Sequence, residues 1–222
     1  MFDFLTPTVQ KAMLTATWET IEMVLISGVI TVIVGLILGI LLHVTGKDGL
    51  SPVRWLNFIL SGIIVNITRS IPFAILMVAL IPFSAFLVGT SLGPIAATVS
   101  LTIGTVPFFA RLVETALRDV SSGKVDAALV IGSTKMQIIR KVMVPEAMPG
   151  IVAAVTTTVV TLIGYSAMAG LVGGGGLGRM AYTYGYTRFN PEIMILTIII
   201  MVIMVQLVQI IGDWIARKVD HR

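Results

Sequence analysis

The chain has 222 residues, of which 56% are hydrophobic and only 12% are charged, whereas a typical soluble domain carries about 25% charged residues. So few charges cannot cover a soluble protein of this size, and most of the surface must face lipid. The absence of cysteine excludes disulfides, thiolate metal sites, iron–sulfur clusters and cysteine nucleophiles. The two histidines, His43 and His221, lie far apart in the sequence, so we expect no histidine-based metal cluster or catalytic triad.

Apolar stretches long enough to cross a bilayer, about 20 residues each, follow one another along the chain. Segment 23–46 carries no charged residue, and the uncharged segment 70–110 is too long for one crossing. Turn-forming residues cluster within 82–94, so we expect the chain to fold back there. The sequence therefore predicts an all-α polytopic membrane protein with five transmembrane helices. The predicted spans are 20–43, 57–82, 93–111, 149–170 and 193–214.

The Lys and Arg residues predict the orientation, because cytoplasmic loops carry an excess of them. With five spans, the loops after the first and third spans share one side with the C-terminus. That side holds eleven of the fifteen Lys and Arg residues, and the other side holds only Lys11, Arg179 and Arg188. We expect the eleven to be cytoplasmic, in a bacterial inner membrane. The predicted parts are an extracytoplasmic N-terminal segment at 1–16, a transmembrane domain at 17–212 and a cytoplasmic tail at 215–222.

Residues 112–147, called the polar loop below, form the one substantial polar insertion. This loop is too short for a core of its own, and its pattern predicts two short helices. The first helix is predicted at 125–131, followed by Gly132 in a position that suits a C-terminal cap. Its exposed apolar residues have two interpretations: the helix rests on lipid, or it inserts into the groove of a partner protein.

The second helix of the polar loop is predicted at 135–144. Thr134 and Gln137 have the spacing of a capping box at its N-terminus. Pro145 is expected to end it, because proline lacks the backbone N–H that a helix interior requires.

The polar loop also carries a spaced pattern of small, acidic and apolar residues. The residues of this pattern are Asp126, Ala127, Ala128, Gly132, Val142, Val144 and Pro145. Their spacing resembles the cytoplasmic "EAA" loop of ABC-importer permeases, which runs Glu-Ala-Ala, three residues, Gly, nine residues, Ile, one residue, Leu-Pro. The three departures, Asp126 for Glu, Val142 for Ile and Val144 for Leu, are conservative. The resemblance implies a coupling helix that docks into a cleft of a separate ATPase subunit.

A closer resemblance extends over nearly the whole chain. The residues that carry it are 18–20, 69–73, 136–138, 144–147, 164–168, 173–178 and 184–186. They are similar to those of methionine-type permeases of ABC importers. That family implies the type I ABC-importer permease fold and a homodimer. It also implies two cytoplasmic ATPase subunits and an extracytoplasmic binding protein that delivers methionine.

No phosphate-binding loop of the G-x-x-x-x-G-K-[ST] type occurs in the chain, so we expect it not to hydrolyse ATP or to be an enzyme. The resemblance implies that ATP and Mg²⁺ bind the partner ATPase, with no cofactor or metal in this chain. Membrane lipid is an expected partner and nucleic acid is not. Two alternatives stay open: a permease for another amino acid or small solute in the same family, and a stand-alone secondary transporter.

One face of the fourth predicted span carries Thr157, Thr161, Gly164 and Met168 at spacings of four, three and four, with Tyr165 beside it. One interpretation is hydrogen bonding between helices. The other is that this face lines a translocation path, with Met168 as a flexible apolar gate, because an unbranched thioether adapts its shape readily.

Arg69 lies within the second predicted span and is the only charged residue inside an apolar region of the sequence. At the centre of a bilayer, an arginine costs about 2.5–3.5 kcal/mol on insertion scales. It either marks the cytoplasmic edge of a span that starts later, with Pro72 in its first turn, or pairs across the bundle, or attracts a substrate carboxylate. We favour the structural role.

Glycines and aromatic residues predict further features. Gly35 and Gly39 have small-x-x-x-small spacing, which indicates close helix packing, either within a chain or between subunits. The glycine run 173–178 matches a dinucleotide fingerprint only by chance, since no strand precedes it, and a flexible turn is the better interpretation. The aromatic residues Tyr182, Tyr184, Tyr186 and Phe189 form an interfacial belt or contact a binding protein.

Overall fold

A computed structural model describes residues 6–220. The first five residues of the predicted N-terminal segment, together with His221 and Arg222, lie outside the described residues. Helices with short connections make up the described chain, and residues 6–220 contain no β-strand. The predicted all-α class is therefore confirmed.

Within residues 6–220, four helices are long and apolar enough to cross a membrane. These are α1 (Pro7–Thr45), α5 (Pro94–Arg118), α8 (Met148–Leu171) and α10 (Pro191–Val219). The shorter elements are α2 (Arg54–Ser70), α3 (Phe73–Ala79), α4 (Ile81–Val88), α6 (Ser122–Val130), α7 (135–146) and α9 (176–187). Three stretches are π-helical: Phe58–Ile67 within α2, Ile139–Met143 within α7 and Ala181–Thr187 within α9.

The second predicted span, 57–82, is wrong as a single straight helix. The chain bends by 99° between α2 and α3, and only the bent pair taken together qualifies as a fifth span. The cause is Pro72, which lacks an N–H and pushes the preceding Ile71 out of the helical region. Pro72 has an extended ψ of 129° and lies just before the first residue of α3.

The first helix begins earlier than predicted. Because proline suits the first turn of a helix, α1 starts at Pro7, and the backbone N–H of Val9 donates to Thr6 Oγ1 at 3.4 Å. Met13 and Ala16, predicted to lie outside the transmembrane domain, are buried against residues 177, 180 and 193. Residues 7–16 thus belong to α1 and to the packed core beside it.

The chain is organised as two compact units, each of which packs mainly within itself. The first unit is Met1–Ile30, Ile71–Thr105 and Val159–Gln209, and the second is Thr31–Ser70, Val106–Thr158 and Ile210–Arg222. The largest fully buried side chains of the first unit are Met23, Leu101, Leu162, Ile163, Leu177 and Ile193. Those of the second unit are Phe109, Leu42, Leu117, Ile138, Val65 and Val113.

Within the second unit, two glycines of α1 let the backbone of α5 approach closely. A Cβ placed on Gly39 would lie 2.6 Å from the carbonyl oxygen of Ala110 and 2.6 Å from Cβ of Val113. At Gly35 it would lie 2.7 Å from Cδ1 of Phe109. The predicted close packing is confirmed, and it occurs within one chain.

The last helix, α10, buries little of its apolar surface. Only 11% of its most apolar window is buried within the chain. Its exposed large apolar residues are Ile195, Ile198, Ile199, Val202, Ile203, Leu207, Ile210, Ile211, Trp214 and Ile215. A helix that is apolar around most of its circumference needs lipid or another protein around it.

Gly39→Ala is expected to destabilise the protein by about 1–3 kcal/mol, because the new methyl group meets backbone that cannot move aside. Gly28→Ala on the same helix is the matched control, since its Cβ would meet only Cδ1 of Leu162 at an ordinary 3.7 Å. The midpoint of thermal unfolding of the detergent-purified protein measures both. Equal midpoints for the two variants would contradict the close packing of α1 on α5.

Candidate functional site

The polar loop presents a short helix with an exposed apolar end. In α6, Ala128 is only 6% exposed and packs into the core of the second unit. Leu129, Val130 and Ile131 at the end of the same helix are 48%, 87% and 81% exposed. The helix is thus anchored on one side, while its apolar C-terminal end lies open.

The predicted cap at Gly132 is confirmed. Gly132 adopts a φ of 82°, which a side chain would disfavour. The N–H of Gly132 donates to the carbonyl oxygen of Leu129 at 3.0 Å. The N–H of Ser133 donates to the carbonyl oxygen of Ala128 at 3.1 Å. These two bonds form a Schellman motif, which ends α6 sharply and fixes the position of its exposed end.

The predicted capping box at the start of α7 is also confirmed. The N–H of Gln137 donates to Thr134 Oγ1 at 3.3 Å, and the N–H of Thr134 donates to Gln137 Oε1 at 2.8 Å. Both helices of the polar loop therefore have defined ends, and the turn between them is short.

The prediction that Pro145 ends the second helix is wrong, because α7 continues to Glu146. Pro145 lies in the first turn of the α-helical stretch Val144–Glu146, directly after the π-helical turns of Ile139–Met143. The N–H of a residue in a first turn needs no partner within the helix, so proline is tolerated there. No sequence pattern indicates the wider π-helical turns that make this possible.

The residues of the predicted coupling site divide by exposure. Asp126, Ala127, Gly132 and Pro145 are exposed. Ala128 is buried and Val144 is partly buried, and both pack in the core of the second unit. The first four can thus meet a partner, whereas Ala128 and Val144 hold the helices in place.

Polar contacts join α6 to the end of α7 and the polar loop to the segment that follows α1. Lys124 at the start of α6 forms an ion pair with Glu146 at the end of α7. Lys135 Nζ donates to Ser51 Oγ at 3.2 Å. A cavity of about 430 Å³ lies beside α6 and is lined by His43, Asp48, Gly49, Leu50, Leu117, Arg118, Val120, Ser122, Val125, Asp126, Leu129 and Met143.

A charged cluster on α5 is a feature that the sequence patterns above did not predict. The carboxylate of Glu114, which is 9% exposed, accepts from Arg111 at 2.6 Å and from Arg118 at 2.7 Å. Arg111 Nη2 also donates to Ser61 Oγ at 3.0 Å and to Asn66 Oδ1 at 2.8 Å, which joins α5 to α2. The spacing of these charges, three and four residues apart on one helix, is the signal that could have revealed the cluster.

In the first unit, the predicted face of α8 is only partly covered by the chain itself. Gly164 is exposed, and a Cβ placed on it would meet no atom within 4 Å. Thr161 and Met168 are partly buried. Tyr165 stacks on Phe73 of α3 with ring centroids 3.8 Å apart and an interplanar angle of 4°. The rigid stack therefore lies beside an open surface on the same helix.

Thr157 belongs to the part of α8 in the second unit. It is exposed, and its Oγ1 donates to the carbonyl oxygen of Ala153 at 2.9 Å. Thr158 next to it is fully buried and donates to Ala154 in the same way at 2.8 Å.

Arg69 lies in the last turn of α2, directly before the bend. It is exposed and forms no salt bridge with any carboxylate of residues 6–220. Pro72 precedes α3 and does not lie within its first turn, which differs from the predicted arrangement.

The glycine run after α8 is a tightly bound turn, and its interpretation as a flexible segment is wrong. Glu19 Oε2 accepts from the N–H of Gly176 at 2.7 Å, and Thr20 Oγ1 accepts from the N–H of Leu177 at 2.9 Å. A Cβ placed on Gly176 would lie 2.6 Å from Thr20 Oγ1. Glycine is needed because α1 approaches the backbone here, and no local pattern in the sequence predicts this contact.

The helices of membrane-spanning length define a polytopic membrane protein with a capped polar loop. Residues 31–222 match the family described as "Binding-protein-dependent transport system inner membrane component", and the chain belongs to this family. It is therefore a transport-system permease and not an enzyme, as predicted.

Relatives with established names support this assignment. The "Probable D-methionine transport system permease protein MetI" of Vibrio cholerae is 52% identical over 95% of this chain and 93% of its own length. The "Methionine import system permease protein MetP" of Bacillus subtilis is 44% identical over 82% of each chain.

Solved structures give the same result. One described as "Inward facing conformations of the MetNI methionine ABC transporter: CY5 native crystal form" matches with a TM-score of 0.95 and 45% identity, over 98% of this chain and 100% of that chain. A "Crystal structure of an amino acid ABC transporter with histidines" has a TM-score of 0.78 at 18% identity, which shows the fold alone. The predicted ABC-importer permease fold is confirmed.

Glu114→Gln is expected to destabilise the protein by about 1.5–3 kcal/mol, because a buried, charge-assisted pair of hydrogen bonds is lost. Glu146→Gln is the control, since the carboxylate of Glu146 pairs with Lys124, whose side chain is 53% exposed, and such pairs contribute about 0–1 kcal/mol. Thermal unfolding in detergent ranks the two variants. If Glu146→Gln lowers the unfolding midpoint more than Glu114→Gln does, the charged cluster on α5 does not stabilise the protein as expected.

Proposed function

We propose that this chain is the membrane permease subunit of an ATP-driven importer for methionine. Two copies form the translocation path, two cytoplasmic ATPase subunits bind the polar loops, and an extracytoplasmic binding protein delivers the solute. The observation that carries the proposal is the exposed apolar end of α6, on a loop with defined caps. The methionine relatives in two bacteria support the choice of solute.

The ATPase is proposed to bind the end of α6 and its acidic and small flanking residues. Val130 and Ile131 are more than 80% exposed, and full burial of an aliphatic side chain is worth about 1.5–3 kcal/mol. A cleft that covers both side chains therefore gains a firm apolar anchor. Asp126, Ala127 and Gly132 are exposed beside it and complete the contact. ATP and Mg²⁺ bind the ATPase, which does the chemistry.

Movement of α6 would pass directly to α5 through the core of the second unit. Ala128 packs in the same core as Phe109, Val113 and Leu117 of α5. Because packed cores transmit displacement and do not absorb it, a shift of the docked helix moves α5 with it. This supports a lever role for α6, in which closure of the ATPase alternates the inward and outward openings of the dimer.

The open face of α8 is proposed to line the path between the two copies. Gly164 lies on a surface that one chain leaves uncovered, Thr161 and Met168 beside it are partly exposed, and Thr157 extends this face along the same helix. The hydroxyls offer hydrogen bonds to a polar solute, and the thioether of Met168 closes the narrowest point. The stack of Tyr165 on Phe73 would hold the gate in position.

The polar loop and the C-terminal tail are proposed to be cytoplasmic and the N-terminus extracytoplasmic, in the bacterial inner membrane. The excess of Lys and Arg on one side supports this orientation. Arg69 lies directly before the bend between α2 and α3, and its exposed guanidinium is proposed to reach toward the interface. Family membership removes the stand-alone transporter as an alternative, and the names of the relatives favour methionine over another small solute.

Val130→Asp is expected to abolish copurification of the ATPase subunit, because a charged carboxylate cannot be buried in an apolar cleft without a partner. The measurement is pull-down of the ATPase with the tagged permease from solubilised membranes. Phe189→Asp is the control, since Phe189 is equally exposed at 87% but lies outside the polar loop. If the Val130→Asp variant captures as much ATPase as the wild type does, α6 is not the docking helix.

Met168→Cys is expected to form a disulfide with the second copy and to block methionine uptake when oxidised. The natural chain contains no cysteine, so the background is clean. Ser166→Cys is the control, because Ser166 is 1% exposed on the opposite side of α8. Oxidative crosslinking is read on a gel with and without nucleotide. If no crosslink forms in any nucleotide state, Met168 does not lie at the gate.

A further inference from the structure

A single cavity gathers every cationic side chain of the described first unit. The cavity has a volume of about 560 Å³ and lies between the first turns of α1 and the helix α9. Lys11, Arg179 and Arg188 all line it, and the described residues of this unit contain no other Lys or Arg. Three cations around one space attract an anion, because their Coulomb fields add there.

The carboxylates of the same unit do not supply that compensation. Of Glu19, Glu22 and Glu192, only Glu19 lines the cavity. Its Oε2 already accepts from the backbone N–H of Gly176 at 2.7 Å. The guanidinium of Arg188 lies 4.4 Å from the ring centre of Tyr184, which places it against an aromatic face and not against an acid. The three cations thus share the cavity with a single carboxylate, Glu19, which already accepts a hydrogen bond from the backbone.

The surface beside the cavity is apolar and aromatic. Leu14 and Trp18 are 72% and 66% exposed, and they lie on the same helical face as Lys11. Tyr182 and Tyr186 of α9 are 45% and 64% exposed and stack on each other. Exposed Trp and Tyr side chains next to cations are typical of the depth at which lipid headgroups lie.

We propose that this cavity binds the phosphate of an anionic phospholipid. Lys11, Arg179 and Arg188 hold the phosphate oxygens, since Arg and Lys are the side chains that suit phosphate. Hydroxyls of Thr8 and Thr183 line the same space and can donate to the glycerol and phosphate oxygens. The exposed side chains of Leu14 and Trp18 contact the upper part of the acyl chains. This lipid site is separate from the path on α8 and from the docking helix α6.

The test is native mass spectrometry of the full permease, with its copurifying subunits, released from nanodiscs of equal phosphatidylglycerol and phosphatidylcholine. We expect the wild type to retain phosphatidylglycerol preferentially, and Lys11→Gln/Arg179→Gln to lose this preference by about fivefold for each cation removed. Lys47→Gln/Arg54→Gln is the matched control, because both cations are exposed, line no part of the cavity and lie outside the polar loop. Arg188→Gln, a single exposed change, repeats the test if the double variant folds poorly.

Equal retention of the two lipids by the wild type overturns the proposal. So does an unchanged preference in the cavity variants. If these variants keep phosphatidylglycerol but lose capture of the extracytoplasmic binding protein, the cavity holds an acidic group of that protein instead. None of these readouts depends on uptake of methionine, so failure of the lipid site and failure of the proposed transport function are distinguishable.

Discussion

The interior of a bilayer offers no hydrogen-bond partner, and this constraint explains most of the structure. The long segments of the described chain are helical, so their backbone N–H and C=O groups form hydrogen bonds with each other. The buried hydroxyls follow the same rule. Those of Thr20, Thr105, Thr158 and Thr197 each donate to a carbonyl oxygen four residues earlier. Among the buried side-chain polar atoms of residues 6–220, only Ser84 Oγ has no hydrogen-bond partner.

The same constraint makes the polar loop informative. Outside the apolar helices the chain can expose charge freely, yet at the end of α6 it exposes Val130 and Ile131. Two local devices hold those side chains out: the Schellman motif at Gly132 and the capping box at Thr134. A helix end with exposed apolar side chains and fixed capping bonds is well suited to transmit a partner's movement, because it cannot bend without losing those hydrogen bonds.

Local patterns allowed most of the fold to be predicted, and long-range contacts explain the rest. The apolar stretches, the glycine spacing of α1 and both caps of the polar loop depend on residues that lie near one another in the chain. The contact between Glu19 and Gly176 and the link from Arg111 to Ser61 depend on packing between distant segments. The bend at Pro72 and the continuation of α7 through Pro145 show opposite outcomes for the same residue type. The outcome depended on the neighbouring turn, which composition does not reveal.

The bond between Glu19 and Gly176 also has a consequence for biosynthesis. The two residues are 157 positions apart in the chain, and ribosomes add about 5–20 residues per second, so Glu19 emerges roughly 8–30 s before its partner. During that time the carboxylate of Glu19 lacks the backbone N–H of Gly176 that it accepts from in the folded chain. The contacts of α1 with the glycine run can therefore form only after α8 has been synthesised, near the end of translation.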